Sequence, residues 1–409
     1  MTPRLPKDRL TPARAASHTR RFRPMLALIA TLAIQALVSM AVLTPPVLTG
    51  LAAPAIGVAS ERVGIFTAIV YAGAIVSSAG SGTLLARVGP LRLSQWCLVA
   101  CAAGLAAAAS GSLALVLLGA VAMGLGYGPV TPASSHILIR QTPPHRRAFM
   151  FSLKQTGVPV GGVLAGSVAA PLGLVLGWQG SALAVAAACL VLALAAEPLR
   201  PRFDRPEEAT AASAAGLLAG IRLVLGMPAL RRLALSSTSF SATQLSFATF
   251  LVTFLTERAQ LSLVTAGAVM AVAQGAGILG RIVLGWIADR LLPPRRLLGL
   301  LGVGMAVAAV ATGLITASWP LAGVFAVTAI LGATGVSWNG VYLAEVAALA
   351  PAGTAGAATG GALSITFLGI VLGPALFSAA VSVSGSYSLA FSIVAACALA
   401  GGIGAWRAA

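Results

Sequence analysis

Two charged side chains stand inside apolar runs that should carry none. Lys154, in Phe151-Ser-Leu-Lys154-Gln155-Thr156-Gly157, lies about six residues into an apolar segment, roughly 8–10 Å below its inner end at a 1.5 Å rise per residue. Arg281 stands near the start of the run Gly280-Arg281-Ile-Val-Leu-Gly285-Trp-Ile-Ala-Asp289-Arg290. An ionised group in apolar surroundings is costly, so it marks a functional site by default. Lys154 offers an anion ligand or a gate cation; its depth equally permits snorkelling to the interface. Glu345, in Trp338-Asn339-Gly340-Val-Tyr342-Leu-Ala-Glu345, is a carboxylate that could take up and release a proton. Equally, it could be a solvated helix end or a partner for Arg290 or Arg296. Gln35, Gln244, Gln274 and Tyr71 fall near the middle of apolar segments. A neutral amide donates and accepts hydrogen bonds without the cost of a buried charge, so these suit cargo contact or bonds between helices. Trp338, Asn339 and Tyr127 are further candidates of the same kind. No nucleophile elbow, HExxH, P-loop or CxxC is present, and the histidines number three (His18, His136, His145). Catalysis, ATP hydrolysis, a cofactor and a metal site are therefore not expected.

The elements that must position these residues follow from composition. The chain has 409 residues, 58% hydrophobic and only 9% charged, with a mean hydropathy of +0.96. A soluble domain would carry about a quarter charged residues. Apolar runs of about 20 residues recur throughout, the length that crosses a bilayer core of roughly 30 Å as a helix. The pattern predicts an all-α membrane protein with spans at 25–48, 62–84, 93–110, 113–136, 149–172, 178–197, 232–255, 263–287, 296–316, 320–344, 357–380 and 387–405. With the N-terminus inside, 22 of the 26 Lys/Arg fall on the cytoplasmic side. The net charge of +17 thus reports orientation in a bacterial-type inner membrane, both termini cytoplasmic, and not a nucleic-acid partner. The basic tail Arg20-Arg21-Phe-Arg23 suits contact with anionic lipid. The run 25–48 is too long for a signal peptide. Cys97, Cys101, Cys189 and Cys397 lie in apolar segments and read as small packing residues.

The organisation is a tail (1–24), a six-helix bundle (25–198), a Pro- and charge-rich linker (199–231) and a second bundle (232–409). The segment Gly216–Leu230 looks amphipathic and suited to the cytoplasmic surface. The bundles echo each other: Gln35 matches Gln244 at an offset of 209, and His136 falls within one residue of the position equivalent to Glu345. Those two read as paired inner-gate elements. Gly82-Thr-Leu-Leu-Ala86-Arg87-Val-Gly89-Pro-Leu-Arg92 is a faded copy of the run at Gly280. With six spans in each half, this loop element and the parallel repeat, the chain resembles the major facilitator superfamily over 25–405. The resemblance implies two pseudo-symmetric six-helix bundles, with Gln35 and Gln244 facing a central cavity. It also implies gate and scaffold roles for Arg281, Asp289, Arg290, Arg87 and Arg92. Ala86 stands where the superfamily usually has Asp, so the first clamp is expected to be weaker.

No acidic residue lies in the central third of any predicted span. That favours proton-driven uptake of a small organic anion by a monomer, with Lys154, Gln35, Gln244, Tyr127, Asn339, Trp338, Tyr71 and Gln274 as cargo contacts and Glu345 as a coupling site. Efflux of drugs or metabolites is the alternative reading; a sensor without flux would need a signalling domain that the sequence lacks. Alternating access would rock the halves about the site, with Glu61-Arg62 and Glu257-Arg258 pairing across the outer face.

Overall fold

The computed structural model describes residues 12–58, 63–204 and 218–408, and among them every regular element is helical. A bilayer offers no partner to backbone N–H and C=O groups, so each crossing segment must satisfy its own. Ten runs are long and apolar enough to cross, and Ile65–Ala79 with Ser81–Val88 adds a span bent by 59°. One of the ten, Pro144–Phe203, is 60 residues long and holds two passes. Gly177 breaks it at φ 73° and ψ 162°, a backbone shape that only glycine takes without strain. Beyond the break, the Ser181 hydroxyl donates to the Ala169 carbonyl at 2.6 Å, twelve residues back. Twelve residues of continuous helix would hold those groups about 18 Å apart, so the chain has reversed. Among the described residues the spans therefore number twelve, and an even number brings the start of span one and the end of span twelve to one side, the terminal face.

Span one is Pro24–Val47, span two Val63–Ala79 with Ser81–Val88, span three Pro90–Ala108 and span four Leu113–Gln141. Span five runs from Arg147 to Gly177 and span six from there to Ala195. Spans seven, eight and nine are Pro228–Glu257, Leu263–Arg290 and Pro294–Gly313. Span ten is broken into Leu321–Gly335 and Asn339–Leu349; spans eleven and twelve are Ala355–Ser384 and Tyr387–Trp406. Spans two, four, five, eight, ten and eleven run past their predicted ends, whereas spans one, three, six and nine stop short of them. The linker contributes a short helix, Ala219–Gly226, which is packed against span eleven instead of lying free on the surface. Glu61, Arg62, the basic tail's side chains and linker residues 205–217 lie outside the described residues.

Without a hydrophobic force between helices in lipid, small residues that let backbones approach supply the packing. Span five lies on span one where Gly161 meets the Ala36 carbonyl, and span eleven lies on span seven where Gly373 meets Ala242. Cys97, Cys101 and Cys189 are buried within the first six spans, whereas Cys397 is exposed, so it does not pack as the sequence suggests.

Candidate functional site

Span five is interrupted at Thr156, one residue beyond Gln155, and the break sets the site's first wall. Lys154 is 1% exposed and does not snorkel. Its Nζ donates to Gln35 Oε1 at 2.7 Å, Gln155 Oε1 at 3.0 Å and Thr131 Oγ1 at 3.2 Å. The Thr131 hydroxyl donates to the same Gln35 oxygen at 3.0 Å, and Gln35 Nε2 donates to Ser39 Oγ at 3.3 Å. Spans one, four and five are thereby joined by a buried cation whose partners are all neutral. Nothing in the sequence singles out Thr131, Ser39 or Gln155, beyond the place of Gln155 next to Lys154.

The second wall comes from spans seven, ten and eleven. Gln244 Oε1 accepts from Trp338 Nε1 at 3.0 Å and Asn339 Nδ2 at 3.3 Å, so three expected contacts meet at the break in span ten. Below them, Ser237, Tyr342 and Thr366 share hydroxyl hydrogen bonds of 2.6 and 3.4 Å. Tyr71 and Tyr127, from the first half, meet edge-on at 6.0 Å between ring centroids. Phe367 of span eleven closes on both, at 5.8 and 6.1 Å. Gln274 lies two turns from Arg281 on the same helix face; its Oε1 is buried with no hydrogen-bond partner among the described residues.

Arg281 joins the two walls. It is 2% exposed; Nε donates to the Val336 carbonyl at 3.0 Å, and Nη1 donates to the Gln155 carbonyl. Both acceptors are carbonyls freed where a span is broken, so one guanidinium caps two interrupted helices from opposite halves.

Nearer the terminal face the halves meet at two seams. At one, Asp289 caps the first turn of span five: its Oδ1 and Oδ2 accept from the Ala148 and Phe149 amides at 2.9 Å each. Gly285 makes this approach possible, since a Cβ there would lie 2.7 Å from Ser152 Cβ. Arg290 lies over the Trp286 ring at 5.4 Å. At the other seam, a Cβ on Gly82 would lie 2.5 Å from Ala357 Cβ in span eleven, and Ser364 Oγ donates to the Ile75 carbonyl at 2.9 Å. Ala86 and Arg87 are exposed there. Arg92 pairs with Glu197 at 3.3 Å, while the Leu91 and Arg92 amides donate to Asp204 at 2.6 and 2.9 Å. Asp204, in the linker, carries no signal in the sequence that marks this role. Burial raises its carboxyl from the ordinary value, against the pull of those two amides.

Glu345 corrects one expectation. Its partner is Arg295, at 2.6 Å, and neither Arg290 nor Arg296, because Arg295 on the first turn of span nine faces the inner end of span ten. Arg295 also donates to the Ala408 carbonyl, which ties the chain's end to the same corner. His136 is buried and sits beside Gly356 of span eleven.

Twelve spans in two halves around a polar site, with a glycine-and-carboxylate clamp between them, match a known family. The Major Facilitator Superfamily profile matches residues 25–374. The chain belongs to the Major Facilitator Superfamily. A structure of the E. coli Fucose:proton symporter FucP, carrying a single substitution, superposes with a TM-score of 0.74 at 15% identity, covering 94% of this chain and 99% of that one. FucP in the outward conformation gives 0.76 at 16% identity, with 95% and 99% covered. The human organic anion transporter MFSD10 (TETRAN) gives 0.71 at 20% identity, with 94% and 99% covered. A search of curated proteins by sequence returned no match. Membership in the superfamily makes the chain an integral membrane protein with the architecture of a secondary transporter. At these identities the solved structures share a fold, and cargo does not follow from it.

Proposed function

We propose that this transporter carries a small organic anion inward with a proton, by rocking residues 25–198 against 232–409. One observation carries the reading: Lys154 and Arg281 are wholly buried near the meeting of the halves, and every hydrogen-bond partner each has is a neutral oxygen. The carboxylates among the described residues, Glu197, Asp204, Glu257, Asp289 and Glu345, lie toward the ends of helices, and none pairs with either cation. Burying an ionised group costs several kcal/mol unless it is paired. Neutral oxygens offset part of that cost, and an arriving anion supplies the rest.

In this reading Lys154 is the anion's main ligand. Gln35 and Thr131 hold its ammonium in place, and Gln244, Asn339 and Trp338 present amide and indole groups from the other half. Tyr71, Tyr127 and Gln274 complete the wall. Glu345, engaged by Arg295, serves as a gate fastening at the inner end of span ten, with His136, Arg87 and Arg92 at the same face. The terminal face is the cytoplasmic one, by the charge bias of its loops.

The test is uptake of a panel of small carboxylates into proteoliposomes under an imposed pH gradient, with Lys154→Gln beside the parent. Gln keeps hydrogen-bond donors but removes the charge, so uptake of the responsive carboxylate should fall by about thirtyfold or more, as expected when a hydrogen-bonded charge pair is lost. Unchanged uptake by the variant would overturn the anion reading. Accumulation that ignores the pH gradient would remove the proton from it.

A further inference from the structure

The two seams at the terminal face are built from the same repeat but are not held in the same way. At the Asp289 seam a carboxylate binds the first-turn amides of span five. The pseudo-symmetric seam has Gly82 in place against Ala357, yet Ala86 offers no carboxylate, and the N-cap of span eleven, Thr354, makes no side-chain cap either. Span eleven is held to span two there by the Ser364–Ile75 hydrogen bond and by close packing, with no carboxylate cap on its first turn.

The linker helix Ala219–Gly226 occupies the gap. It packs along the first turns of span eleven and also touches both limbs of span two, so it bridges the halves. The approach is backbone to backbone. A Cβ on Gly220 would lie 2.5 Å from the Ala357 carbonyl oxygen and 3.2 Å from the Gly361 nitrogen, and a Cβ on Gly361 would run into the Gly220 carbonyl. Ala357 is therefore gripped from two sides, by Gly82 and by Gly220. Val224, one turn along the helix, is fully buried.

We propose that helix Ala219–Gly226 is the latch of this seam, standing in for the carboxylate that the first clamp lacks. It holds span eleven against span two while the terminal face is closed and must leave Ala357 and Gly361 before that face opens. The proposal rests on alternating access alone, so it stands or falls separately from the anion reading.

Spin labels at Arg202→Cys and Ala352→Cys, in a Cys397→Ser background, read the width of the terminal face by pulsed EPR in full-length protein without cargo. Gly220→Leu, which cannot fit beneath Ala357, should shift the distribution to the wide form. Val224→Ala, which removes packing without a clash, should shift it the same way by less. Ala86→Asp should reverse both shifts by restoring a cap to span eleven, and in the parent it should lower the wide fraction roughly fivefold, the usual worth of one helix cap. A distribution that Val224→Ala and a folded Gly220→Leu leave unmoved would overturn the latch. So would a shift that Ala86→Asp fails to reverse.

Discussion

Arg281 concentrates in one side chain what the two broken spans need. A guanidinium presents donors in a fixed fork, so a single residue reaches Val336 in its own half and Gln155 in the other. Lysine keeps the charge but lacks the fork and cannot serve both carbonyls. Arg281→Lys should cost about 2 kcal/mol, the scale of one hydrogen bond to a charged group, read as a lower unfolding temperature in detergent. An unfolding temperature equal to the parent's would mean that the fork bears no stability. At this scale the sequence is informative about charge and silent about geometry. A lysine or arginine inside an apolar run announces itself, because few other residues in the chain are charged. Their partners cannot be read, since Thr131, Ser39 and the carbonyls of Gln155 and Val336 carry no signature in one dimension. Glu345 shows the same limit: neighbouring arginines at 290, 295 and 296 are alike in sequence, and only the direction of the first turn of span nine selects Arg295.

Helices five and eight meet through a carboxylate and two amides, which makes this contact a helix cap supplied by the opposite half of the molecule. Asp289→Asn keeps the shape but leaves one oxygen to do the work of two and removes the favourable charge at the helix N-terminus. The terminal face should then open more often, by roughly fivefold in population. A bulky thiol reagent applied from that side should label a buried cysteine placed at Ser152 faster to match. Labelling no faster than in the parent would argue that the cap is incidental to the gate. The clamp at Asp289 is legible because its glycine and arginine recur at the same spacing in the first half, at Gly82 and Arg87. The loss at Ala86 is legible as well. Its consequence is not: the segment around Gly220 reads as an amphipathic surface piece, and nothing in its pattern reveals that Gly220 meets span eleven backbone to backbone. Gly177 hides in the same way, as one glycine among 46.

The molecule as a whole has its halves in contact toward the terminal face, and at the opposite face Glu257 and Arg258 are occupied within the second half. The Tyr387 hydroxyl donates to Glu257 at 2.9 Å, and Arg258 donates to the Gly385 carbonyl at 2.7 Å. Any bond from Glu257 to Arg62 would then belong to the state in which the opposite face is shut. Arg62→Glu should slow turnover, and adding Glu257→Arg should restore it, both within about fivefold because exposed ion pairs are weak. Rates that simply multiply, with no recovery in the double variant, would show that the two groups never meet. Span number and duplication are readable from the sequence because a bilayer leaves few other ways to bury so apolar a chain. The unequal seams have a consequence for how such a machine can be adjusted. A carboxylate seam can be tuned in steps, through aspartate, glutamate, asparagine or serine, each giving a different hold. A seam in which glycine backbones touch admits almost no intermediate settings. Opening rates in this protein should therefore be graded by changes around Asp289, and switched all at once by any side chain placed at Gly220 or Gly361 themselves.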